Sequence, residues 1–143
     1  MTTAEQLDQV FCNNFVAYYR SHVAHVNIMG RNFASDHELL GGIYEELQGQ
    51  IDTIAELLRT LQEYMPCEIQ DVLNCSEIMT TRLEGDSIDL IGAVRDDLDL
   101  LKGSYEALMH TAEIEGHEEI ANYAQDRILA LAKHIWMLDA TLS

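Results

Sequence analysis

An all-α four-helix bundle with one long crossover connection is the fold that this 143-residue chain predicts. Three observations carry the prediction. Apolar residues recur at three- and four-residue intervals through four long segments, and no segment alternates with the period of two that a half-buried strand shows. The connection between the second and third segments is also far longer than the other two.

The first helix places Leu7, Phe11, Asn14, Phe15, Tyr18, His22, His25, Val26 and Met29 on one face, and Gly30 is expected to end it. After the short turn 31–34, Ser35 and Glu38 have capping-box spacing, so the second helix is expected to start there. Its buried stripe is Leu40, Ile43, Tyr44, Leu47, Ile51, Ile54, Leu58 and Leu61. Helices joined by so short a turn pack antiparallel. Pro66 breaks the pattern after Tyr64, and residues 68–77 predict a short helix on the crossover. A third helix starts at Asp86 or Ser87 and runs through Ile91, Val94, Leu98, Leu101, Tyr105 and Leu108 to about Glu115, where Gly116 interrupts it. The fourth carries Ile120, Tyr123, Ala124, Ile128, Leu131, Ile135 and Leu138. Two helical hairpins around a long crossover that holds one short extra helix make the layout of a ferritin-like bundle.

Length and composition predict one domain over residues 1–143, since the chain is 48% hydrophobic with a single proline and no Gly/Ser-rich stretch, which excludes a disordered chain. No apolar run approaches the roughly 20 residues that span a bilayer. Met1–Ala4 leads directly into an amphipathic pattern, so a cytoplasmic protein without a membrane partner is expected. Cys12, Cys67 and Cys75 are odd in number, lack C-x-x-C spacing and sit among apolar neighbours, and they read as buried free thiols in a reducing compartment. There are 25 acidic residues against 8 Lys+Arg, a formal charge of −17, and the only lysines are Lys102 and Lys133. Phosphate neutralisation needs clustered Lys/Arg, so direct DNA binding is disfavoured, whereas the acidic surplus suits a protein that attracts cations.

The second helix carries a further signal on its polar side. Gly42, Glu45, Gly49, Asp52 and Glu56 lie opposite the buried stripe. Glycine inside an exposed helix costs roughly 1 kcal/mol relative to alanine, so Gly41, Gly42 and Gly49 imply close approach by another helix. That partner would also cover Asp52 and Glu56. His25 and His37 flank the turn between the first two helices, where their side chains converge. The 52 − 37 = 15 helical steps from His37 to Asp52 span roughly 22 Å at about 1.5 Å each, and one metal ion cannot touch both ends. If the four residues are one site, the imidazoles come from one copy of the chain and the carboxylates from another. Two copies of the second helix crossing antiparallel about a two-fold axis would give two equivalent sites. Mixed imidazole and carboxylate ligands suit iron, zinc or manganese. Taken singly, each residue has an ordinary explanation as a packed histidine or a solvated acid, and only the joint spacing singles them out.

That joint spacing has a counterpart. The stretch from Ser21 to Leu61, SHVAHVNIMGRNFASDHELLGGIYEELQGQIDTIAELLRTL, resembles the core of the Dps proteins, mini-ferritins that form hollow dodecamers. The family pattern is a histidine-tryptophan-asparagine segment ending in glycine, then asparagine-phenylalanine, a second histidine, and an aspartate followed by alanine-glutamate. Here His25, Asn27, Gly30, Asn32, Phe33, His37, Asp52, Ala55 and Glu56 stand at matching positions, and the segment KHIWML from Lys133 to Leu138 is similar as well. The resemblance implies a homododecamer with intersubunit ferroxidase centres, His25 and His37 forming one half and Asp52 and Glu56 the other. It further implies oxidation of Fe(II), preferentially by hydrogen peroxide, and storage of ferric mineral in the cavity. The chain departs from the pattern at Val26, where the tryptophan stands, and at Leu57, where an arginine stands. The acids that line the iron pore in relatives would fall where this chain has His117 and Asn122, with Glu113, Glu115, Glu118 and Glu119 nearby as substitutes. His22 shares the face of His25 and reads as packing. DNA-compacting members carry lysines at a flexible terminus, whereas the first basic residue here is Arg20. A passive cage with weak oxidation and a DNA-condensing protein are the competing readings. A classical ferritin centre within one subunit needs Glu-x-x-His, and no histidine here has a glutamate three residues before it.

Overall fold

The computed structural model describes residues 1–143 as α1 (Thr3–Asn27), α2 (Phe33–Thr60), α3 (Ile69–Cys75), α4 (Ser87–Glu115) and α5 (Glu118–Leu142), with no strand. α1 and α2 form one antiparallel hairpin and α4 and α5 the other; α1 packs against α4 to join them, and the short α3 lies on α1. A continuous cluster of 30 buried apolar residues fills the space between the four long helices, with Leu7, Phe11, Leu40, Leu47, Leu98 and Tyr105 among its largest members. No helix is long and apolar enough to cross a membrane.

Local chemistry explains most of the boundaries. Thr2 caps α1 reciprocally with Glu5, and Asp86 caps α4 in the same way with Asp89. α4 ends in a Schellman motif: Gly116 takes the left-handed conformation at φ 80°, the His117 N–H donates to the Ala112 carbonyl, and the Gly116 N–H donates to that of Glu113. The turn between α1 and α2 departs from expectation at both ends. α1 stops at Asn27 rather than at Gly30, because Ile28 turns extended and buries its side chain in the core. α2 begins at Phe33, before the expected Ser35 cap, and the Ser35 hydroxyl donates to the Asn32 carbonyl instead. Val26 and Met29, read as part of the apolar face of α1, are exposed.

The crossover is held by polar side chains of α1. Gln9 Nε2 donates to the Cys75 carbonyl at 2.9 Å, and Asn13 accepts from the Glu77 N–H at 2.8 Å. Val72 is the one buried residue of α3. The cysteines differ from one another: Cys12 is buried and Cys75 half-buried, whereas Cys67 is exposed, contrary to its reading as a core thiol, because it follows Pro66 in the irregular stretch outside the bundle.

Candidate metal centre

His25 sits in the last turn of α1 and His37 in the second turn of α2, so the tight connection between them sets the two rings face to face. The ring centroids are 3.8 Å apart with the planes 15° from parallel. Each ring is locked by the other residue's backbone. Nδ1 of His25 donates to the His37 carbonyl at 2.6 Å, and Nδ1 of His37 donates to the His25 carbonyl at 2.7 Å. A carbonyl oxygen only accepts, so both Nδ1 atoms carry the proton. With Nδ1 committed to a carbonyl, Nε2 is the ring nitrogen left to offer a lone pair to a metal.

Neighbouring rings complete the support. Phe33 stacks on the outer side of His37 at 5.0 Å, Tyr44 lies 5.0 Å from His25, and His22 stacks flat on Tyr44 at 4.0 Å. His22 also meets the Tyr18 hydroxyl through Nδ1 at 3.3 Å, which accounts for it as packing. Gly41 belongs to this arrangement, the approach of α1 in the same chain, rather than to the approach of a partner's helix. A Cβ placed on Gly41 would lie 2.9 Å from Cε1 and 3.1 Å from Nδ1 of His25, whereas one on Gly42 or Gly49 would meet nothing within 4 Å. Gly41→Ala is thus expected to displace the His25 ring and break its 2.6 Å bond to the His37 carbonyl. Isothermal titration should show metal affinity at the histidine pair falling about 10- to 100-fold, the usual cost of losing an orienting contact of this kind.

Asp52 and Glu56 lie together on the exposed face of α2, in line with Gly42, Glu45 and Gly49. A hydrogen bond to Asp52 and the Asp52 charge push the Glu56 carboxyl above its ordinary range. The two pairs do not meet within one chain. The one group of three or more metal-ligating side chains in the protomer is Asp8, Cys12 and Cys75, which includes neither pair. Val26 leaves an exposed position beside the histidines, and Leu57 packs its side chain against the core. Among the acids proposed for a pore, Glu115 is already engaged: its carboxylate accepts from the Thr3 N–H at 2.7 Å and from the Thr3 hydroxyl, and these bonds lower its pKa. Glu113, Glu118 and Glu119 remain exposed.

A buried ion network farther along α2 from His37 was not anticipated. Arg127 of α5, 4% exposed, makes two hydrogen bonds to the Glu46 carboxylate, one of them at 2.9 Å. His134 Nε2 meets the same carboxylate at 3.0 Å. Burial works to raise the Glu46 pKa, but the bonds from His134 and Arg127 outweigh it and hold the group down at about 2. Tyr123 donates to Gln50 at 2.7 Å beside Tyr105, which closes the polar layer. The spacing Ala124, Arg127, Leu131 puts an arginine on the core stripe of α5, a signal for a buried partner on the facing helix.

Comparison with known proteins agrees with this architecture. The family model for the ferritin-like domain matches residues 4–143. The DNA protection during starvation protein of Helicobacter pylori is 28% identical over 144 residues, which span all of both chains. Antigen TpF1 of Treponema pallidum is 32% identical over 139 residues, 96% of this chain and 78% of that one. Its crystal structure superposes with a TM-score of 0.92 over 99% of this chain and 91% of its own. The Dps protein of Vibrio cholerae, described as a member of a broad superfamily of ferritin-like diiron-carboxylate proteins, superposes with a TM-score of 0.93 at 26% identity, covering 99% of this chain and 89% of its own.

Proposed function

Because the chain belongs to the ferritin-like proteins and, among them, to the Dps family, we propose that it is a mini-ferritin that oxidises Fe(II) at centres shared between two subunits and stores the ferric product inside a hollow homododecamer. The observation that carries this reading is the reciprocal clamp on His25 and His37, which ties up both Nδ1 atoms and leaves Nε2 of each stacked ring as the nitrogen available to a metal. Structural histidines normally use their ring nitrogens to satisfy buried partners; these two make their hydrogen bonds through Nδ1 alone.

In this proposal iron is substrate and cargo. The imidazoles of one subunit and the Asp52 and Glu56 carboxylates of the next would bind Fe(II) at the interface, with the carboxylates neutralising the charge and retaining the ferric product long enough to pass it inward. Hydrogen peroxide or dioxygen is the electron acceptor. With peroxide, two Fe(II) ions each give up one electron, the O–O bond breaks, and two protons from solvent complete two water molecules. The −17 charge would concentrate Fe(II) at the openings and on the inner wall, where acids nucleate mineral. Protection of DNA would follow from removing iron and peroxide together, without contact between this acidic protein and the nucleic acid.

The test is an anaerobic load of Fe(II) on the purified protein followed by peroxide or air, with ferric absorbance and native mass measured on the same sample. Rapid oxidation by a twelve-chain particle is expected. A monomer, or a rate equal to that of buffer, would refute the proposal. The exposed Val26 and the core-packed Leu57 favour one competing reading, a passive cage, for which metal would bind without turnover.

A further inference from the structure

Asp8 and Cys12 stand one helical turn apart on α1, and the end of α3 brings Cys75 against both. Cys75 Sγ is 3.8 Å from Asp8 Oδ2, and one ligand atom from each of the three residues lies within 4.8 Å of the others. The cluster does not depend on side-chain chance. Gln9 and Asn13 fix the backbone at Cys75 and Glu77 through the bonds described above, so Cys75 is delivered to this spot by the same contacts that dock the crossover. On its inner side the cluster is sealed, because Cys12 is fully buried. On its outer side Asp8 and Cys75 border a surface pocket of about 720 Å³ that Glu5 and Glu63 also line.

We propose that Asp8, Cys12 and Cys75 form a binding site for a thiophilic divalent cation of the zinc class, which staples the crossover helix α3 to α1. Two sulfurs and one carboxylate oxygen make a three-ligand set for a tetrahedral ion, with the fourth position open to water from the pocket. Zn–S bonds of about 2.3 Å and Zn–O bonds of about 2.0–2.2 Å would place these ligand atoms roughly 3.6–3.8 Å apart. The present separations need only small side-chain rotations to reach that geometry. Sulfur also sets the site apart from the iron-binding residues proposed above, which offer only nitrogen and oxygen; soft thiolates select zinc over hard cations. The consequence is local. α3 buries a single side chain, so an ion linking Cys75 to two residues of α1 would add the strongest tie the crossover has.

Cobalt(II) is the probe, because its thiolate complexes absorb through sulfur-to-metal charge transfer while nitrogen and oxygen sites lack that band. Reduced full-length protein is titrated with Co²⁺ and then with Zn²⁺, in the wild type, in Cys75→Ser, in Asp8→Asn, and in the Asp52→Ala, Glu56→Ala variant. The expected result is one charge-transfer site per chain, bleached by Zn²⁺, lost in Cys75→Ser, weakened in Asp8→Asn and retained in the variant lacking the exposed acids. Cys75 is only half-buried, so its serine variant should fold even if a substitution at Cys12 does not. Zinc should also raise the thermal midpoint of the Asp52→Ala, Glu56→Ala variant, and adding Cys75→Ser to that variant should remove most of the rise. Absence of the band from reduced wild type, or its survival in Cys75→Ser, would overturn the proposal whatever becomes of the iron chemistry.

Discussion

The Asp52→Ala, Glu56→Ala double variant is expected to oxidise Fe(II) no faster than buffer while keeping the stability of the parent. Both side chains are exposed and neither contributes to the apolar core, so their removal should leave the urea midpoint essentially unchanged. The like-charged neighbour that holds the Glu56 pKa up also disappears, which works slightly in favour of the folded chain. Catalysis should respond quite differently. In the proposed centre these acids are half of the ligand set, and the two histidines alone would hold Fe(II) too weakly for turnover. Stopped-flow ferric absorbance, paired with urea unfolding of the same preparations, separates the two effects. Parental oxidation rates in the double variant would mean that the carboxylates are ordinary surface.

Glu46→Ala is expected to produce the opposite pattern, a large loss of stability from a residue with no place in the chemistry. It would leave the Arg127 guanidinium in the core without its counter-charge, and Arg127 Nε already lacks a partner there. Breaking one side of a buried ion pair costs about 3–5 kcal/mol, and the lower end applies because the Glu46 side chain is 33% exposed and partly screened. A Glu46→Leu, Arg127→Met double variant should recover most of that loss, since it removes both charges together. The pH dependence has a definite sign. The Glu46 pKa is lowered from 4.5 to about 2 in the folded protein, so its contribution is complete above about pH 4.5 and lost as the pH falls towards about 2. Urea midpoints measured across that window should fall more steeply for the wild type than for Glu46→Ala. Equal slopes would show that the network is not coupled to folding.

How far the chain could be read without coordinates follows from the range of each interaction. The four long helices were legible because burial repeats along the sequence with helical period, and α4 in particular is bounded where its caps Asp86 and Gly116 stand. The start of α2 was not, because the Ser35 hydroxyl had a competing acceptor in the Asn32 carbonyl that spacing alone does not reveal. Gly41 was correctly singled out as needing a close neighbour, but the neighbour is the His25 ring of the same chain, and only the tertiary turn brings it there. His25 and His37 converge as the short connection suggests; the mutual backbone bonds that fix their tautomers depend on atomic detail no residue pattern carries. Arg127 was readable in principle, as a charge on an apolar stripe, yet its partner Glu46 lies 81 positions away in the chain. The juxtaposition of Cys12 with Cys75 is likewise created by the docking of the crossover and has no local signature.

The account rests on a centre that two subunits must complete, and a mixing experiment addresses that directly. A His25→Ala, His37→Ala variant and an Asp52→Ala, Glu56→Ala variant, each inactive alone, are denatured together and reassembled in equal amounts. A mixed two-fold pair restores one intact site out of two, so random pairing should recover about one quarter of the wild-type oxidation rate. Recovery near that level is the predicted result. A mixture as inactive as its two components, at full reassembly by native mass, would place all four residues' function within single chains and contradict the shared centre.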